Sequence, residues 1–243
     1  MKRWIALLIL LPGLAVAAGS KVALQDPNID LTDKASLQRG AQTFMNYCLG
    51  CHQMQYQRYQ RMFNDLGIPE DLGQKYLQFT GESVSDYMTN TMPAEDSAQW
   101  FGAPPPDLTL VARVRGPEWL YTYFKTFYVD ESKIFGVNNL VFPNVGMPHV
   151  LEPLQGTPRL AYEEKMVDGE LVMRPAGLTN DGNGRLSEDE YNDTIRDLVN
   201  FLEYTGEPTR LKSEAIGRGV LIFIVIFFVF ALLLKKEYWR NVK

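Results

Sequence analysis

Cys48-Leu49-Gly50-Cys51-His52 contains both cysteines and one of the two histidines of this 243-residue chain. A C-x-x-C-H pentapeptide is an attachment sequence for a c-type haem. Two thiols three positions apart on a helical turn reach the two vinyl groups of one porphyrin, and the next residue offers its imidazole to the iron from the same side. Three other chemistries use similar residues. A redox-active C-x-x-C, even one followed by histidine, normally sits after a strand in a βαβ unit, whereas a helical pattern precedes this one. A zinc site needs further soft ligands, and the chain has no other cysteines. A disulfide across two residues closes too small a loop to stabilise much.

On the N-terminal side of the pentapeptide, residues 34–47 read as a helix with Leu37, Ala41, Phe44 and Met45 on one face. Asp33 is placed to cap it, and Gly40 permits close approach by another backbone. On the C-terminal side, residues 94–106 are polar and proline-heavy and read as a surface loop. Residues 116–128 space Trp119, Tyr123 and Phe127 for one helix face packed near the porphyrin, as core rings more than as electron conduits. Asp168-Gly169 between short apolar runs predicts a hairpin turn. The neighbouring acids Glu163, Glu164, Asp168 and Glu170 read as a solvated stretch, with partner docking as the alternative. Residues 179–190 place Asp181, Asn183, Gly184, Leu186 and Glu190 at calcium-loop positions, but Thr179 stands where an aspartate is needed. Ser187-Glu188-Asp189-Glu190 also forms a capping box for a helix to about Tyr204, a reading that uses every residue without an ion. Glu207-Pro208 ends that helix.

The sixth position on the iron has three candidates. Methionine opposite histidine is the electron-transfer arrangement that raises the potential. Most of the downstream methionines read as packing, but Met92-Pro93 and Met147-Pro148 sit beside proline, which would fix a ligand loop. Proximity to the pentapeptide favours Met92, and His149 would give a bis-histidine site of lower potential.

The two ends differ from the middle. Residues 1–18 run from Lys2 and Arg3 through a short apolar stretch to Ala15-Val16-Ala17, the pattern of a secretory signal peptide. Residues 220–234 are uninterruptedly apolar, and counted from Ile216 they approach the length of a transmembrane helix. Arg218 can snorkel at the outer end. Lys235, Lys236, Arg240 and Lys243, with Tyr238 and Trp239, follow at once and place that end in the cytoplasm. The expected organisation is a signal peptide (1–18), an exported domain (19–210), an anchor (211–236) and a cytoplasmic tail (237–243). The chain's net charge is −5. Its N-terminal pair and basic C-terminal end together contribute +6, so the exported portion is near −11. Such a domain does not favour nucleic acid and is suited to steering a basic protein partner.

Longer stretches carry a resemblance to the cytochrome c1 family, the haem subunit of the bacterial ubiquinol–cytochrome c reductase. Arg39-Gly40-Ala41-Gln42 through Tyr47 to His52 resembles the family's haem segment. Pro105-Pro106-Asp107-Leu108-Thr109, continuing to Arg113-Val114-Arg115, resembles its most specific run. Residues 138–148, ending Gly146-Met147-Pro148, resemble its ligand loop, and Asp197-Leu198-Val199-Asn200-Phe201-Leu202 with Glu207-Pro208 its C-terminal end. The resemblance implies a mainly α fold, a class I cytochrome c-like domain with loop insertions plus one C-terminal transmembrane helix. It implies one haem c attached through Cys48 and Cys51, with His52 and Met147 as iron ligands. It implies Arg115, or less favourably Arg113, on a haem propionate, a carbonyl near Pro106 accepting from the His52 ring, and a haem contact from Trp119 or Tyr121. The implied function is transfer of electrons from the Rieske iron–sulfur protein to a soluble c-type cytochrome. The implied setting is a dimeric complex with a cytochrome b subunit in the inner membrane, the haem domain in the periplasm. His149, where the family has Met-Ala-Pro-Pro, is a departure that keeps ligand exchange open.

Overall fold

The computed structural model describes residues 22–167 and 170–241. The expected signal peptide, the turn pair Asp168 and Gly169, the Glu170 side chain and the last two residues of the tail lie outside the described residues. In chain order the elements are α1 (Lys34–Tyr47), β1 (Met54–Arg58), α2 (Tyr59–Leu66), α3 (Glu70–Tyr76), β2 (Tyr87–Met88), α4 (Ala94–Phe101), α5 (Val111–Arg115), α6 (Pro117–Lys125), β3 (Phe127–Val129), β4 (Val137–Asn139), α7 (Glu152–Gln155), β5 (Arg159–Val167), β6 (Glu170–Thr179), α8 (Glu188–Gly206) and α9 (Arg210–Tyr238). The fold is mainly α. The strands form three separate antiparallel pairs, β1 with β2, β3 with β4 and β5 with β6.

The core forms where α1 crosses α8. Asp33 Oδ1 accepts from the Ser36 N–H at 3.0 Å and starts α1. Its apolar face buries Leu37, Ala41, Phe44 and Met45. Phe44 meets Phe201 of α8 with ring centroids 5.9 Å apart. Gly40 is the contact point. A Cβ there would stand 2.0 Å from the Asp197 carbonyl oxygen and 2.7 Å from the Phe201 Cβ. Beside it, Arg39 donates through Nε to Asp197 Oδ2 at 2.5 Å and through Nη2 to Oδ1 at 3.1 Å. That two-pronged pair ties the helices where they come closest.

The capping box of α8 is formed on both sides. Glu190 Oε2 accepts from the Ser187 N–H at 2.9 Å, and Ser187 Oγ accepts from the Glu190 N–H at 3.4 Å. α9 follows after Pro208 and is the one described helix long and apolar enough to cross a membrane. Arg210, at its start, ion-pairs with Glu203 at the end of α8 at 2.5 Å and with Glu214 at 3.1 Å.

Residues 94–106 correct the reading as a loop, since their first eight residues are α4. Pro93 precedes it, Glu95 and Asp96 face its N-terminal dipole, and Gly102 at φ 82° ends it.

Gly40→Ala is expected to lower stability by about 1–3 kcal/mol, the usual cost of overpacking. The measurement is the urea midpoint with the slope unchanged. A midpoint equal to the parent's would mean that α1 and α8 do not need this approach.

Candidate functional site

The pentapeptide continues α1 into a further turn. The Cys48 carbonyl accepts from both the Cys51 N–H at 3.0 Å and the His52 N–H at 2.8 Å. The two thiols therefore lie one turn apart on the end of a helix that is itself clamped to α8. Both cysteines are unpaired, Cys48 buried and Cys51 half-buried. Burial pushes the Cys48 thiol up to about 12 and raises Cys51 as well. A thiol used for disulfide exchange needs the opposite shift, so the pair is poorly suited to dithiol redox work.

His52 is aimed by the neighbouring segment at 105–109. Its Nδ1 lies 2.8 Å from the Pro106 carbonyl oxygen. A carbonyl only accepts, so Nδ1 carries the proton and Nε2 keeps its lone pair. Burial lowers the His52 pKa, opposed by the Pro106 bond and by Asp107, and favours the neutral, ligating form. The segment is fixed just after Pro106. The Leu108 N–H donates to the Gln53 carbonyl at 2.8 Å. Asp107 Oδ2 accepts from the Gln55 N–H at 2.7 Å, and its Oδ1 from the Thr109 N–H at 2.9 Å. Prolines 105 and 106 have no N–H to satisfy.

A second group of residues surrounds Met147. The Tyr123 hydroxyl donates to Met147 Sδ at 3.4 Å. Trp119 stacks on Tyr123, centroids 4.9 Å apart and planes 10° from parallel. The Arg115 guanidinium lies 4.9 Å from the Trp119 ring centroid and 5.8 Å from that of Phe142. Arg115 forms no ion pair among the described residues, so its charge is available to an anionic group. Arg113 turns elsewhere, its Cγ packing against Gly206 of α8. Trp119 and Tyr121 also separate. Trp119 joins this group, and Tyr121 lies under Lys125, 4.8 Å from its Nζ.

Two buried asparagines shape the loop that carries Met147. Asn139 Oδ1 accepts from the N–H groups of Val141 and Phe142 at 2.9 and 3.1 Å, and its Nδ2 donates to the Tyr123 carbonyl at 2.7 Å. Asn138 Oδ1 accepts from the N–H groups of Asn139 and Asn144, and its Nδ2 donates to Asp130. At Gly146 a Cβ would stand 2.7 Å from the Phe101 carbonyl oxygen at the end of α4. The sequence placed Tyr123 near the porphyrin and Asn138, Asn139 and Gly146 in the ligand loop, but did not show the contacts that each makes. Tyr123 carried a signal, as a phenol in an otherwise apolar i, i+4 row.

The other ligand candidates sit differently. Met92 is half-buried in a segment whose Asn90 Nδ2 donates to the Leu49 carbonyl at 2.9 Å. His149 is buried, stacked on Phe127 at 4.8 Å with planes 8° apart. Its Nε2 has no hydrogen-bond partner among the described residues. Burial, opposed by Glu152 and Gln155, lowers its pKa to about 4. In residues 179–190 the carboxylates at calcium-loop positions, Asp181 and Glu190, are engaged in hydrogen bonds. Asp181 accepts from the N–H groups of Asn183 and Thr157, and Glu190 serves the cap. Among the described residues no group of three or more His, Cys, Asp and Glu side chains is placed to hold a metal ion.

The donor set therefore fits a covalently attached haem. It has two adjacent thiols, one neutral imidazole with a free nitrogen, one thioether and one unpaired guanidinium.

The comparisons with known proteins show the family. Residues 26–242 match the model of the cytochrome C1 family. The chain is 49% identical to the cytochrome c1 of Allochromatium vinosum, over 97% of its length and 96% of the relative's. It is 41% identical to a protein named ammonia monooxygenase gamma subunit in Nitrosomonas europaea, over 100% of its length and 99% of the relative's. It is 25% identical to the cytochrome c1 of Rhodospirillum rubrum, over 87% and 83%.

His149 gives a pH prediction. Its pKa is depressed on folding, so below the ordinary value of 6.5 the unfolded chain binds a proton that the folded chain refuses. Stability is expected to fall between pH 6.5 and 4 by roughly 3 kcal/mol from this residue, at about 1.36 kcal/mol per unit. His149→Phe should lose that part of the dependence when urea midpoints are compared across pH. An unchanged pH profile in the variant would exclude His149 as its source.

Proposed function

The chain belongs to the cytochrome c1 family, and on that premise we propose that it is the haem subunit of a ubiquinol–cytochrome c reductase. In this reading it takes single electrons from the Rieske iron–sulfur protein and passes them to a soluble c-type cytochrome. The observation that carries the reading is the imidazole of His52. It is fixed by the Pro106 carbonyl, with Nε2 free, at the end of the turn that presents both thiols. Haem c, when bound, supplies a one-electron iron couple. The polypeptide binds, orients and tunes that group. Cys48 and Cys51 would hold it through thioethers, and His52 would be a ligand of its iron. Met147 would be the second ligand, preferred over Met92 and His149 because Gly146-Met147 occupies the position of the family's ligand loop, which Asn138 and Asn139 build here. Arg115 pairs with a propionate, where its free guanidinium donates two hydrogen bonds.

The setting follows from the ends of the chain. α9 crosses the inner membrane once, with Lys235, Lys236 and Arg240 on the cytoplasmic side and the haem domain in the periplasm. Signal peptide, haem domain, anchor and tail take the boundaries 1–18, 19–210, 211–236 and 237–243. A cytochrome b subunit packs beside α9 in a dimeric complex, and quinol oxidation takes place on other subunits. The acidity of the exported part steers a basic acceptor. A second reading, a haem subunit of a different membrane complex, is favoured by the 41% relative named as a monooxygenase subunit. Isolation of the tagged chain from membranes separates the two. A b-type cytochrome and quinol-dependent reduction accompany it in the first, and neither does in the second.

Oxidised and reduced absorption spectra of the purified chain test the site. The parent is expected to hold a low-spin c-type haem that survives denaturing extraction, and Met147→Leu to lose the methionine–iron charge-transfer band. An unchanged variant spectrum would move the ligand to His149 or Met92. A parent without haem, after expression with the attachment machinery, would overturn the reading.

A further inference from the structure

The last turn of α6 ends in carbonyls that lack partners within the helix, and side chains from other elements take them. Asn139 Nδ2 donates to the Tyr123 carbonyl at 2.7 Å, the Tyr191 hydroxyl to that of Phe124 at 2.9 Å, and Gln155 Nε2 to that of Lys125 at 3.2 Å. Asn139 stands before the Met147 loop and Gln155 after it, so both ends of the loop hang from one helix terminus. Between Met147 and Gln155 lies His149, its ring flat on Phe127 at 4.8 Å with planes 8° apart. His149 and Gln155 are only 7% and 8% exposed. His149 Nε2 and Gln155 Oε1 are both buried without a hydrogen-bond partner among the described residues. An imidazole nitrogen can donate and an amide oxygen only accepts, and two such groups are rarely left unmet in an interior. Gln155 is also a side chain whose hydrogen bonding acts on the His149 ring.

We propose that His149 and Gln155 form a latch, Nε2–H donating to Oε1, that closes the exit end of the Met147 loop and sets how readily an outside ligand displaces Met147 from the iron. The inference rests on Met147 as the ligand. The direction of the bond follows from its surroundings. The Lys125 carbonyl only accepts, so the amide nitrogen of Gln155 faces it and the amide oxygen is left for the ring. A ring that faces an oxygen keeps its proton there, on Nε2. For Met147 to leave the iron, the loop has to lift. Lifting it pulls His149 off Phe127 and opens the latch, so the strength of that bond adds to the resistance against displacement. The exchange replaces a thioether by another neutral donor, and the iron keeps its oxidation state.

Two measurements on the full haem-loaded chain in detergent test the latch. The chain has two histidines, so nitrogen-labelled histidine in the reduced, diamagnetic form reads the His149 ring directly. A slowly exchanging proton on Nε2 is expected in the parent. A ring protonated on Nδ1 alone overturns the latch without any variant. The second measurement is a titration of the ferric form with imidazole, followed by the methionine–iron charge-transfer band. His149→Phe keeps a ring on Phe127 and removes the N–H. It and Gln155→Leu are each expected to bind imidazole roughly threefold to tenfold more tightly than the parent, the scale of one net hydrogen bond. In the Gln155→Leu background, His149→Phe is expected to add nothing, because the shared bond is already gone. Imidazole affinities equal to the parent's in both single variants overturn the latch and leave the ligand assignment standing. Effects that add in the double variant also overturn it, since independent losses of packing add. If Met147→Leu leaves the band intact, the ligand assignment fails and takes this inference with it.

Discussion

The crossing of α1 over α8 is the constraint from which the rest of the structure follows. It brings the Gly40 backbone against the Asp197 carbonyl, at a distance where a single methyl group has no room, and the Arg39–Asp197 pair closes it. The last turn of α1 runs directly into the cysteine pentapeptide, so the position of the thiols is set by a contact two turns away. The same α8, through Glu203 and Arg210, leads into the apolar α9. One helix thus connects the site to the segment suited to a bilayer, and a shift of α8 would be felt at both.

The two sides of the site are assembled by different means. On the His52 side, short-range chain pairing suffices. The segment at 105–109 is tied to residues 53–55 by the Leu108 N–H and the Asp107 carboxylate, and these bonds just after Pro106 leave its carbonyl facing the imidazole. On the Met147 side the backbone is irregular, and its polar groups need partners that no ladder provides. Asn138 and Asn139 supply them from the end of β4, with carbonyl oxygens that each accept from two backbone N–H groups. Gly146 then lets the loop lie on the end of α4.

What the sequence disclosed divides along the same line. The pentapeptide, α1 with its Asp33 cap, the capping box of α8 and the apolar α9 all carry local patterns, in which each residue's reason lies within a few positions. The strands expected around residues 168 and 169 pair antiparallel for the same reason, with one register shift between Ala161 and Tyr162. α4 was hidden because its eight residues bury only Ser97. With no apolar face to give a period, the prolines around it dominated the reading. The asparagines were hidden because a buried amide satisfying a loop looks, in one dimension, like any turn residue. The resemblance already preferred Arg115 to Arg113, but telling Trp119 from Tyr121 needed the geometry. Residues two apart on a short helix face different ways, and only the neighbouring chain says which way is inward.

A haem site of the proposed kind has to hold its ligands in place through each change of charge. In this chain both candidate ligands are held by groups that do not belong to the haem. The His52 imidazole is fixed by a backbone carbonyl, and the Met147 sulfur by a phenol locked in an aromatic stack. Neither bond needs the iron in order to form, so the cost of orienting the ligands falls on folding, where the α1–α8 core supplies the stability. The difference between the two bonds matters for chemistry. The carbonyl of Pro106 draws on the imidazole proton and makes its free nitrogen a better donor, whereas the hydroxyl of Tyr123 gives to sulfur and makes it a poorer one.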